Sequence, residues 1–408
     1  MELGLERVRA VADRMGLRWP CATIVVGGTN GKGSTCAMLD AILRAAGYRV
    51  GKYASPHLLR FVERVQIDGR PVAEPALLAA FAAVERARGD TPLTYFEFTT
   101  LAAFSCFAGA ELDCAVLEVG LGGRLDAVNI VDADCAIVTT VDLDHMEWLG
   151  GTREAIGAEK AHIYRAGRPA ICVDPDPPAS LRVVAADLGA DLWCLGRDFA
   201  VADVHRPPGP AQWTYRGRVQ GRAALPWPAL RGEHQLRNAA GALAALEALA
   251  DRLPADQQAV RVGLRTVALP GRYQVLPGRP TLVLDVAHNP HAARALAQAL
   301  RAHGPFRRTY AVFGMLADKD AQAVVAALPD VIDVWHLAGT TGARGRDAQS
   351  LARAAFGDGT KAPVFHHDSV AAALDAAAAE AGPDDRIVTF GSFVIVADAL
   401  RWAERGSR

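Results

Sequence analysis

The chain has 408 residues, of which 51% are apolar and 22% charged, with 44 basic and 45 acidic side chains and a formal net charge of -1. This length predicts two domains, and the apolar share is sufficient for well-formed cores. Because the charges balance, the sequence offers no basic surface for nucleic acid or an anionic membrane, so we expect a small-molecule partner.

The N-terminal segment and the cysteines predict a cytoplasmic protein. MELGLERVRAVADRMGL places acidic residues among apolar ones at helical spacing, which indicates an amphipathic helix and not a signal peptide. No apolar run approaches the roughly 18 residues of a membrane span. The seven cysteines include no CxxC pair, so we expect reduced, mostly buried thiols.

Short apolar strings alternate with amphipathic segments through the N-terminal half, a pattern typical of a mainly parallel sheet with crossover helices. Strands are predicted at 21–27, 49–55, 113–120, 134–141 and 169–174. Helices are predicted at about 34–46, 75–88, 96–109 and 152–165. Prolines, glycines and alternating residues at 197–227 predict a small antiparallel meander, and a helical pair follows at 234–267.

The segment LPGRYQVLPGRPT predicts a hinge or linker, after which a second alternating series begins. Its predicted strands are at 281–285, 309–315, 333–339 and 386–392, and its predicted helices end near 302 and span about 320–328. We therefore predict an α/β protein: a P-loop-containing, mainly parallel domain (1–268), a linker (269–279) and a smaller Rossmann-like α/β domain (280–408).

The stretch VVGGTNGKGST, residues 25–35, lies between a predicted strand and a predicted helix. Its glycines can bring backbone N–H groups close to phosphate oxygens, and Lys32 can supply the counter-charge. Ser34 or Thr35 can cap the helix. The spacing differs from the usual G-x-x-x-x-G-K-[ST], because Gly33 separates Lys32 from Ser34. A glycine turn without nucleotide remains the alternative.

Polar residues follow two further apolar strands. Glu118 ends one strand, and Asp142, Asp144 and His145 follow another. Ligands of doubly wound sheets bind beyond these strand ends, where a carboxylate can hold Mg²⁺ on nucleotide phosphates. Taken singly, Glu118 is also consistent with an acid that merely closes a strand, and His145 with a surface or capping residue. Lys160, within an apolar helix, is by position alone consistent with a solvated lysine.

Ten strings occur in the order found in the folylpolyglutamate synthase and dihydrofolate synthase family, ATP-dependent amide ligases related to the Mur ligases. They are GTNGKGS, SPHL, LTYFEF, LEVGLGGRLDAVNI, DLDHMEWLG, EKAHIYR, LPGRYQ, LDVAHNPHA, GMLADKD and FGSF. The chain thus resembles this family from about residue 3 to residue 400. A glycine directly after the lysine is typical of the loop in this family, and it favours a ligase over a kinase or a GTPase.

The resemblance implies site residues for ATP and metal. The residues implied to hold ATP are Thr29, Asn30, Gly31, Lys32, Gly33, Ser34, Asn238, Arg272 and Asp285. Mg²⁺ is expected on Ser55, Glu118 and His145, with K⁺ kept open as an additional ion. Lys160 matches the family's carbamylated lysine, because a buried neutral amine can capture CO₂. Lys32, Lys160 and His145 are the expected catalytic residues.

The resemblance also implies substrate contacts. Thr94, Tyr95, Phe96 and Glu97 of LTYFEF match a pterin-facing loop of the bifunctional bacterial members. Tyr95 and Phe96 are equally consistent with core aromatic residues. His288 and Ser392 match positions near the incoming glutamate. His366 and His367 match no motif and are expected at the surface.

The implied function is ATP-dependent addition of L-glutamate to dihydropteroate and to reduced folates through an acyl phosphate. By resemblance, we expect a monomeric bacterial enzyme without an organellar presequence. Three alternatives stay open: folylpolyglutamate synthase activity only, a Mur-type ligase for a cell-wall precursor, and a P-loop nucleotide switch. The LTYFEF string counts against the cell-wall ligase, as does the lack of a nucleotide-sugar domain before the loop, and the chain has no N-K-x-D guanine motif.

Overall fold

The computed structural model describes residues 4–18, 21–206, 209, 211–357 and 359–406. The chain divides into two compact units. The first comprises Met1–Ala229 and Gln235–Ala268, and the second comprises Leu230–His234 and Leu269–Arg408. Within the described residues, no helix combines the length and apolar character that crossing a bilayer requires.

The first unit is built on an eight-stranded sheet, counted within the described residues. Its strands are β1 (Ala22–Gly27), β2 (Val50–Tyr53), β3 (Val65–Ile67), β4 (Arg70–Pro71), β5 (Cys114–Glu118), β6 (Cys135–Val138), β7 (Pro169–Cys172) and β8 (Asp191–Cys194). They lie in the order β4-β3-β2-β5-β1-β6-β7-β8, parallel from β2 to β8, with an antiparallel edge at β3 and β4. Strands β1, β2, β5 and β6 are buried along their whole length, as continuous apolar runs in parallel sheets usually are.

Helices follow the strands of this sheet, as the alternating pattern predicts. They are α1 (Glu6–Arg14), α2 (Lys32–Ala45), α3 (Glu74–Arg88), α4 (Tyr95–Ala108), α5 (Met146–Leu149), α6 (Arg153–Ala161), α7 (Ala179–Asp187), α8 (His234–Ala248) and α9 (Gln257–Thr266). Two 3₁₀ turns span Phe61–Arg64 and Ala127–Ile130. The predicted helix at 152–165 is real but ends four residues earlier, at Ala161.

A small antiparallel sheet, β9 (Ala200–His205), β10 (Gln212–Arg216) and β11 (Arg222–Pro226), forms in the order β11-β10-β9. The predicted meander at 197–227 is therefore confirmed. Residues 207, 208 and 210 of that prediction lie outside the described residues.

The second unit has its own mainly parallel sheet, in the order β12-β13-β17-β14-β15-β16 within the described residues. Its elements are β12 (Gln274–Leu276), β13 (Thr281–Asp285), α10 (Pro290–Ala302), β14 (Thr309–Phe313), α11 (Ala321–Ala326), β15 (Val334–Ala338), α12 (Ala348–Phe356), β16 (Val364–His367), α13 (Val370–Glu380), β17 (Arg386–Phe390) and α14 (Phe393–Gly406). Part of the expected linker, Gln274–Leu276, is thus a strand, and it pairs antiparallel with β13. The predicted fold class, two α/β sheets with a small meander, is confirmed.

Candidate active site

Four neighbouring parallel strands of the first unit, β2, β5, β1 and β6, end at one edge of the sheet. The glycine loop follows β1, Ser55 follows β2, Glu118 ends β5, and His145 lies in the loop after β6. Carboxyl ends of parallel strands meet on one side of a sheet. The glycine loop, Ser55, Glu118 and His145 therefore share this edge, whereas the other predicted site residues lie on other elements.

Two positions of the loop between β1 and α2 require glycine. Gly28 and Gly31 have φ of +138° and +88°, a region that residues with a Cβ rarely adopt. A Cβ on Gly28 would overlap Thr139 Oγ1, and a Cβ on Gly31 would lie 2.6 Å from Asn238 Oδ1. Asn238, on α8, therefore lies directly against the loop, as its predicted nucleotide role requires.

Backbone contacts with the segment after β6 fix the loop. Thr29 N donates to Thr140 O at 2.6 Å, and Asn30 N donates to Thr140 Oγ1 at 3.1 Å. Thr29 Oγ1 donates to Asp142 O at 3.1 Å. The loop is thus tied to the segment that leads to His145.

Lys32 folds back over this loop. Its Nζ donates to Gly28 O at 3.0 Å and to Thr29 O at 3.3 Å. The ammonium group therefore lies at the N-terminus of α2, where the helix dipole also attracts anions. Together the loop, the helix terminus and Lys32 form an arrangement suited to phosphate.

The expected cap by Ser34 or Thr35 is wrong. α2 begins after Gly31, which has no side chain to cap with. Thr35 Oγ1 donates back to Gly31 O at 3.0 Å, and the buried Ser34 Oγ accepts from Gln235 Nε2 at 3.3 Å. The Gln235 amide in turn accepts from Asn238 Nδ2 at 2.9 Å. The Ser34 hydroxyl thus belongs to a buried polar chain that α8 completes.

Glu118 is a buried carboxylate, with 5% of its surface exposed, and its Oε2 accepts from Ser55 N at 3.3 Å. Oxygen donors of this kind suit Mg²⁺, which keeps several ligands from water or phosphate. Within the described residues, no three His, Cys, Asp or Glu side chains form a group able to hold a metal ion. The assignment of Glu118 and Ser55 as metal ligands stays a prediction.

His145 occupies the position just before α5 in a left-handed conformation, with φ of +51°. Its side chain is 40% exposed, and its Nε2 lies 3.9 Å from Asp144 Oδ1. It is the N-cap residue of α5 by position and is exposed, although its side chain makes no cap hydrogen bond, so the alternative of a surface or capping residue stays open. Its assignment as a metal ligand stays a prediction.

Lys160 is buried, with 4% of its surface exposed, so the alternative of a solvated lysine is wrong. Burial and then the nearby charge of Lys32 lower the pKa of Lys160 to about 7, against the opposing pull of Asp144 and Asp126. A lysine with this pKa is partly neutral near pH 7 and is therefore nucleophilic. Carbamylation of Lys160 stays a prediction.

The loop after β5 packs on the end of α6. A Cβ on Gly123 would lie 2.9 Å from Lys160 O, and Arg124 N donates to Glu159 O at 3.0 Å. Asp126, which the sequence analysis did not select, accepts from Leu121 N at 2.8 Å and from Val128 N at 2.9 Å. Burial raises the pKa of Asp126 to about 6. The available signal was an acid three residues after the second glycine of LGGRLD.

The LTYFEF segment begins α4 with a capping box. Thr94 N donates to Glu97 Oε2 at 2.7 Å, Glu97 N donates to Thr94 Oγ1 at 3.3 Å, and Glu97 also pairs with Arg7 at 3.0 Å. Thr94 and Glu97 thus have a structural role. Phe96 packs against Gly120, whereas Tyr95 is 63% exposed and lies 5.6 Å from the Arg64 guanidinium. Tyr95 therefore offers the most accessible aromatic face of the four predicted substrate residues.

A second polar group lies in the second unit, at the carboxyl ends of the adjacent parallel strands β13 and β17. Asp285 accepts from Tyr273 N and from Ala287 N, both at 2.8 Å. Burial raises the pKa of Asp285, and Arg272 opposes this shift. The carboxylate thus fixes the backbone of the LPGRYQ segment that carries Arg272.

The other predicted residues of this unit gather around Phe393. Arg272 lies 5.1 Å over the Phe393 ring, and the His288 ring lies 6.2 Å from it. His288 Nδ1 donates to Val286 O at 2.8 Å, which fixes the orientation of the ring. The Ser392 hydroxyl accepts from Ile395 N at 3.2 Å and caps α14. Arg272 and His288 therefore both lie against the residue that follows Ser392 at the start of α14.

Two family models and several known proteins match this chain. The Mur ligase middle domain matches residues 26–246, and the Mur ligase glutamate ligase domain matches residues 271–393. Dihydrofolate synthase/folylpolyglutamate synthase of Escherichia coli (strain K12) is 45% identical over 403 residues, covering 98% of this chain and 91% of that protein. The Haemophilus influenzae protein of the same name is 37% identical over 419 residues, covering 98% and 93%.

Solved structures agree with these matches. E. coli FolC in complex with DHPP and ADP superposes with a TM-score of 0.93 at 44% identity, covering 100% of this chain and 95% of that chain. A bifunctional folylpolyglutamate synthase/dihydrofolate synthase with Mn, AMPPNP and L-glutamate bound superposes with a TM-score of 0.90 at 44% identity, covering 99% and 95%. The predicted resemblance is confirmed over the whole chain.

Proposed function

We propose a reaction and a set of residue roles for this chain, which belongs to the dihydrofolate synthase/folylpolyglutamate synthase family of Mur ligases. The chain is an ATP-dependent ligase that adds L-glutamate to dihydropteroate and to reduced folates. The observation that carries this conclusion is the glycine loop with Lys32, which shares one sheet edge with Glu118. The folate-ligase strings continue through the second unit, and a nucleotide switch would not be expected to contain them.

The reaction we propose has two steps. A carboxylate oxygen of the folate attacks the γ-phosphorus of ATP, and the bond between the γ-phosphorus and the bridging β-phosphate oxygen breaks. The products of this step are ADP and an acyl phosphate of the folate. The amino nitrogen of glutamate then attacks the acyl carbon, the C–O bond breaks, phosphate leaves, and the nitrogen loses a proton. Backbone N–H groups of the loop and the Lys32 ammonium stabilise the negative charge on the transferring phosphoryl group.

For the metal we propose Ser55, Glu118 and His145 as ligands. The buried Glu118 carboxylate beside Ser55 N supports this assignment. A bound Mg²⁺ would supply further positive charge beside the phosphates. The chain's own contribution is to hold these oxygen and nitrogen donors at the edge where the glycine loop lies.

For Lys160 we propose carbamylation. The neutral amine attacks CO₂, an N–C bond forms, and the nitrogen releases a proton to give a carbamate anion. Burial and the lowered pKa of Lys160 support this step. The product replaces a cation by an anion near the proposed metal ligands, and K⁺ is kept open as an additional ion.

The remaining roles complete the proposal. Asn238, Arg272 and Asp285 contact the nucleotide, and His288 and Ser392 contact the incoming glutamate. Thr94, Tyr95, Phe96 and Glu97 lie toward the pterin, with Tyr95 as the stacking surface. We also propose a monomer in the cytoplasm.

Product analysis tests the function directly. The purified chain is incubated with ATP, Mg²⁺, L-glutamate and either dihydropteroate or tetrahydrofolate, and products are separated and weighed by mass spectrometry. Glutamylated product from both acceptors is expected. Product from tetrahydrofolate alone would restrict the function to folylpolyglutamate synthesis, and product from neither acceptor would refute the ligase.

A further inference from the structure

A pair of histidines lies in the second unit on the parallel strands β15 and β16, away from the residues of the proposed reaction. His336 is opposite Phe365 in the register, and Ala338 is opposite His367. Because side chains alternate along a strand, His336, Phe365 and His367 share one face of the sheet, and His366 lies on the other. The expectation of surface positions holds for the exposed His366, whereas His367 is half-buried.

The His336 and His367 rings lie close together, with one nitrogen atom of each ring directed toward the other ring. His336 Nδ1 lies 3.0 Å from His367 Nε2, and the ring planes are 22° apart. The His336 ring also stacks on Phe365 with centroids 5.2 Å apart. These contacts restrict the orientation of the His336 ring.

The second nitrogen of His336 determines which tautomer is favoured. His336 Nε2 is buried without a hydrogen-bond partner and lies 3.9 Å from Glu380 Oε2. A lone pair on Nε2 would face the carboxylate and be repelled, whereas an N–H there is attracted. The favoured arrangement therefore has the proton on His336 Nε2, and His367 Nε2–H donates to His336 Nδ1.

We propose that His336 Nδ1 and His367 Nε2 bind one divalent transition-metal ion of the Zn²⁺ type, with Glu380 as the carboxylate that faces His336 Nε2–H. The 3.0 Å separation of the two nitrogens is close to that of neighbouring ligands with metal–nitrogen bonds of about 2.0–2.1 Å. Imidazole nitrogen suits Zn²⁺, Ni²⁺ and Cu²⁺. Metal-binding histidines commonly give their other N–H to a carboxylate.

Binding requires one proton shift and no net proton release. His367 moves its proton from Nε2 to Nδ1, which frees the Nε2 lone pair, while His336 keeps its Nε2 proton. Since the described residues contain no three-residue metal group, water completes the shell. We therefore expect micromolar affinity, well below that of structural zinc sites with four protein ligands.

Zn²⁺ titration of the full chain tests the site. Calorimetry is performed with excess Mg²⁺ and ADP, so that the proposed Mg²⁺ ligands are occupied. Wild type and the matched control His366→Ala should each bind one Zn²⁺ at the histidine pair. His367→Ala should lose at least tenfold in affinity, and Glu380→Gln should weaken binding about tenfold.

A measurement on the wild-type chain guards against variants that fail to fold. Long-range ¹H–¹⁵N NMR of the imidazole groups should show the His336 Nδ1 and His367 Nε2 signals shifting with Zn²⁺, with the proton of His336 retained on Nε2. Equal Zn²⁺ binding by His367→Ala and wild type would overturn the proposal. Imidazole signals that do not respond to Zn²⁺ would overturn it as well.

Discussion

Lys160 illustrates at the residue scale how burial creates reactivity. An amine in water has a pKa near 10.5 and almost no neutral form at pH 7, whereas burial lowers the pKa of Lys160 to about 7. Its unfolded state therefore binds more protons than the folded state between about pH 7 and 10.5. The Lys160 amine makes the free energy of unfolding rise with pH across that window.

This pKa gives a prediction for the proposed carbamate. The neutral fraction of the amine grows as pH rises through 7, so ligation should depend on added bicarbonate and should fall as pH drops below 7. Lys160→Ala should retain less than a tenth of wild-type turnover, with partial rescue by acetate or formate. Trapping of ¹³CO₂ on wild type, followed by NMR, checks the adduct. An active Lys160→Ala protein would contradict the carbamate.

Lys32 gives a second prediction at this scale. Its ammonium donates to the loop carbonyls of Gly28 and Thr29, so Lys32→Ala should fold normally. Turnover should fall by about 10² or more, as on removal of other groups that stabilise developing charge. The matched control is Lys361→Ala, because Lys361 is exposed in the second unit. Equal turnover of Lys32→Ala and Lys361→Ala would contradict the phosphate role.

At the scale of elements, a buried carboxylate and an exposed arginine form an ion pair at the start of β17. Arg307 Nε and its terminal nitrogen donate to the two oxygens of Asp385 at 3.0 and 2.7 Å, and Gly382 N also donates to Asp385 at 2.7 Å. The Arg307 hydrogen bonds lower the pKa of Asp385 to about 2. β17 is a central strand that ends just before Ser392, so this pair secures the element that presents that residue.

Removing the pair should lower the stability of the protein at neutral pH and have little effect on it at strongly acidic pH. Arg307→Met should lower the free energy of unfolding at pH 7, because it leaves the buried Asp385 carboxylate without its charged partner. The stabilisation is present above the unfolded pKa of about 3.8 and is lost as pH falls through about 2. The difference between the two proteins should therefore be much smaller at pH 2 than at pH 7. Urea unfolding from pH 7 to pH 2 checks this, with the adjacent exposed Arg308→Met as control, and an unchanged difference at pH 2 would contradict it.

Elements differ in how well the sequence predicts them. Long apolar runs such as those of β1 and β5 are buried on both faces and were predicted, because burial demands that pattern. Strand β16 carries two histidines and β4 has only two residues, so neither shows a strand pattern. The prediction that Ser34 or Thr35 caps α2 failed for a local reason. The left-handed Gly31 is the N-cap residue of α2, so the hydroxyls of Ser34 and Thr35 lie inside the first turn.

At the scale of the whole molecule, strand order decides which residues meet. Ser55, Glu118 and the glycine loop are far apart in sequence, and they share an edge because β5 inserts between β1 and β2. Apolar periodicity predicts where the strands are in the sequence but does not predict their order in the sheet. The ten family strings identified these residues as members of one site, which apolar periodicity does not do. Hydrogen-bonding residues such as Gln235 and Asp126 were found only in the structure.

The whole molecule also distinguishes a ligase from a nucleotide switch. In the proposed reaction the folate carboxylate is the atom group that attacks ATP, and glutamate is required to release phosphate from the acyl phosphate. ATP turnover should therefore be at least tenfold slower when either folate or glutamate is omitted. A coupled ADP assay under the four substrate combinations measures this. A switch would hydrolyse ATP at the same rate in all four, because water would replace the folate carboxylate as nucleophile.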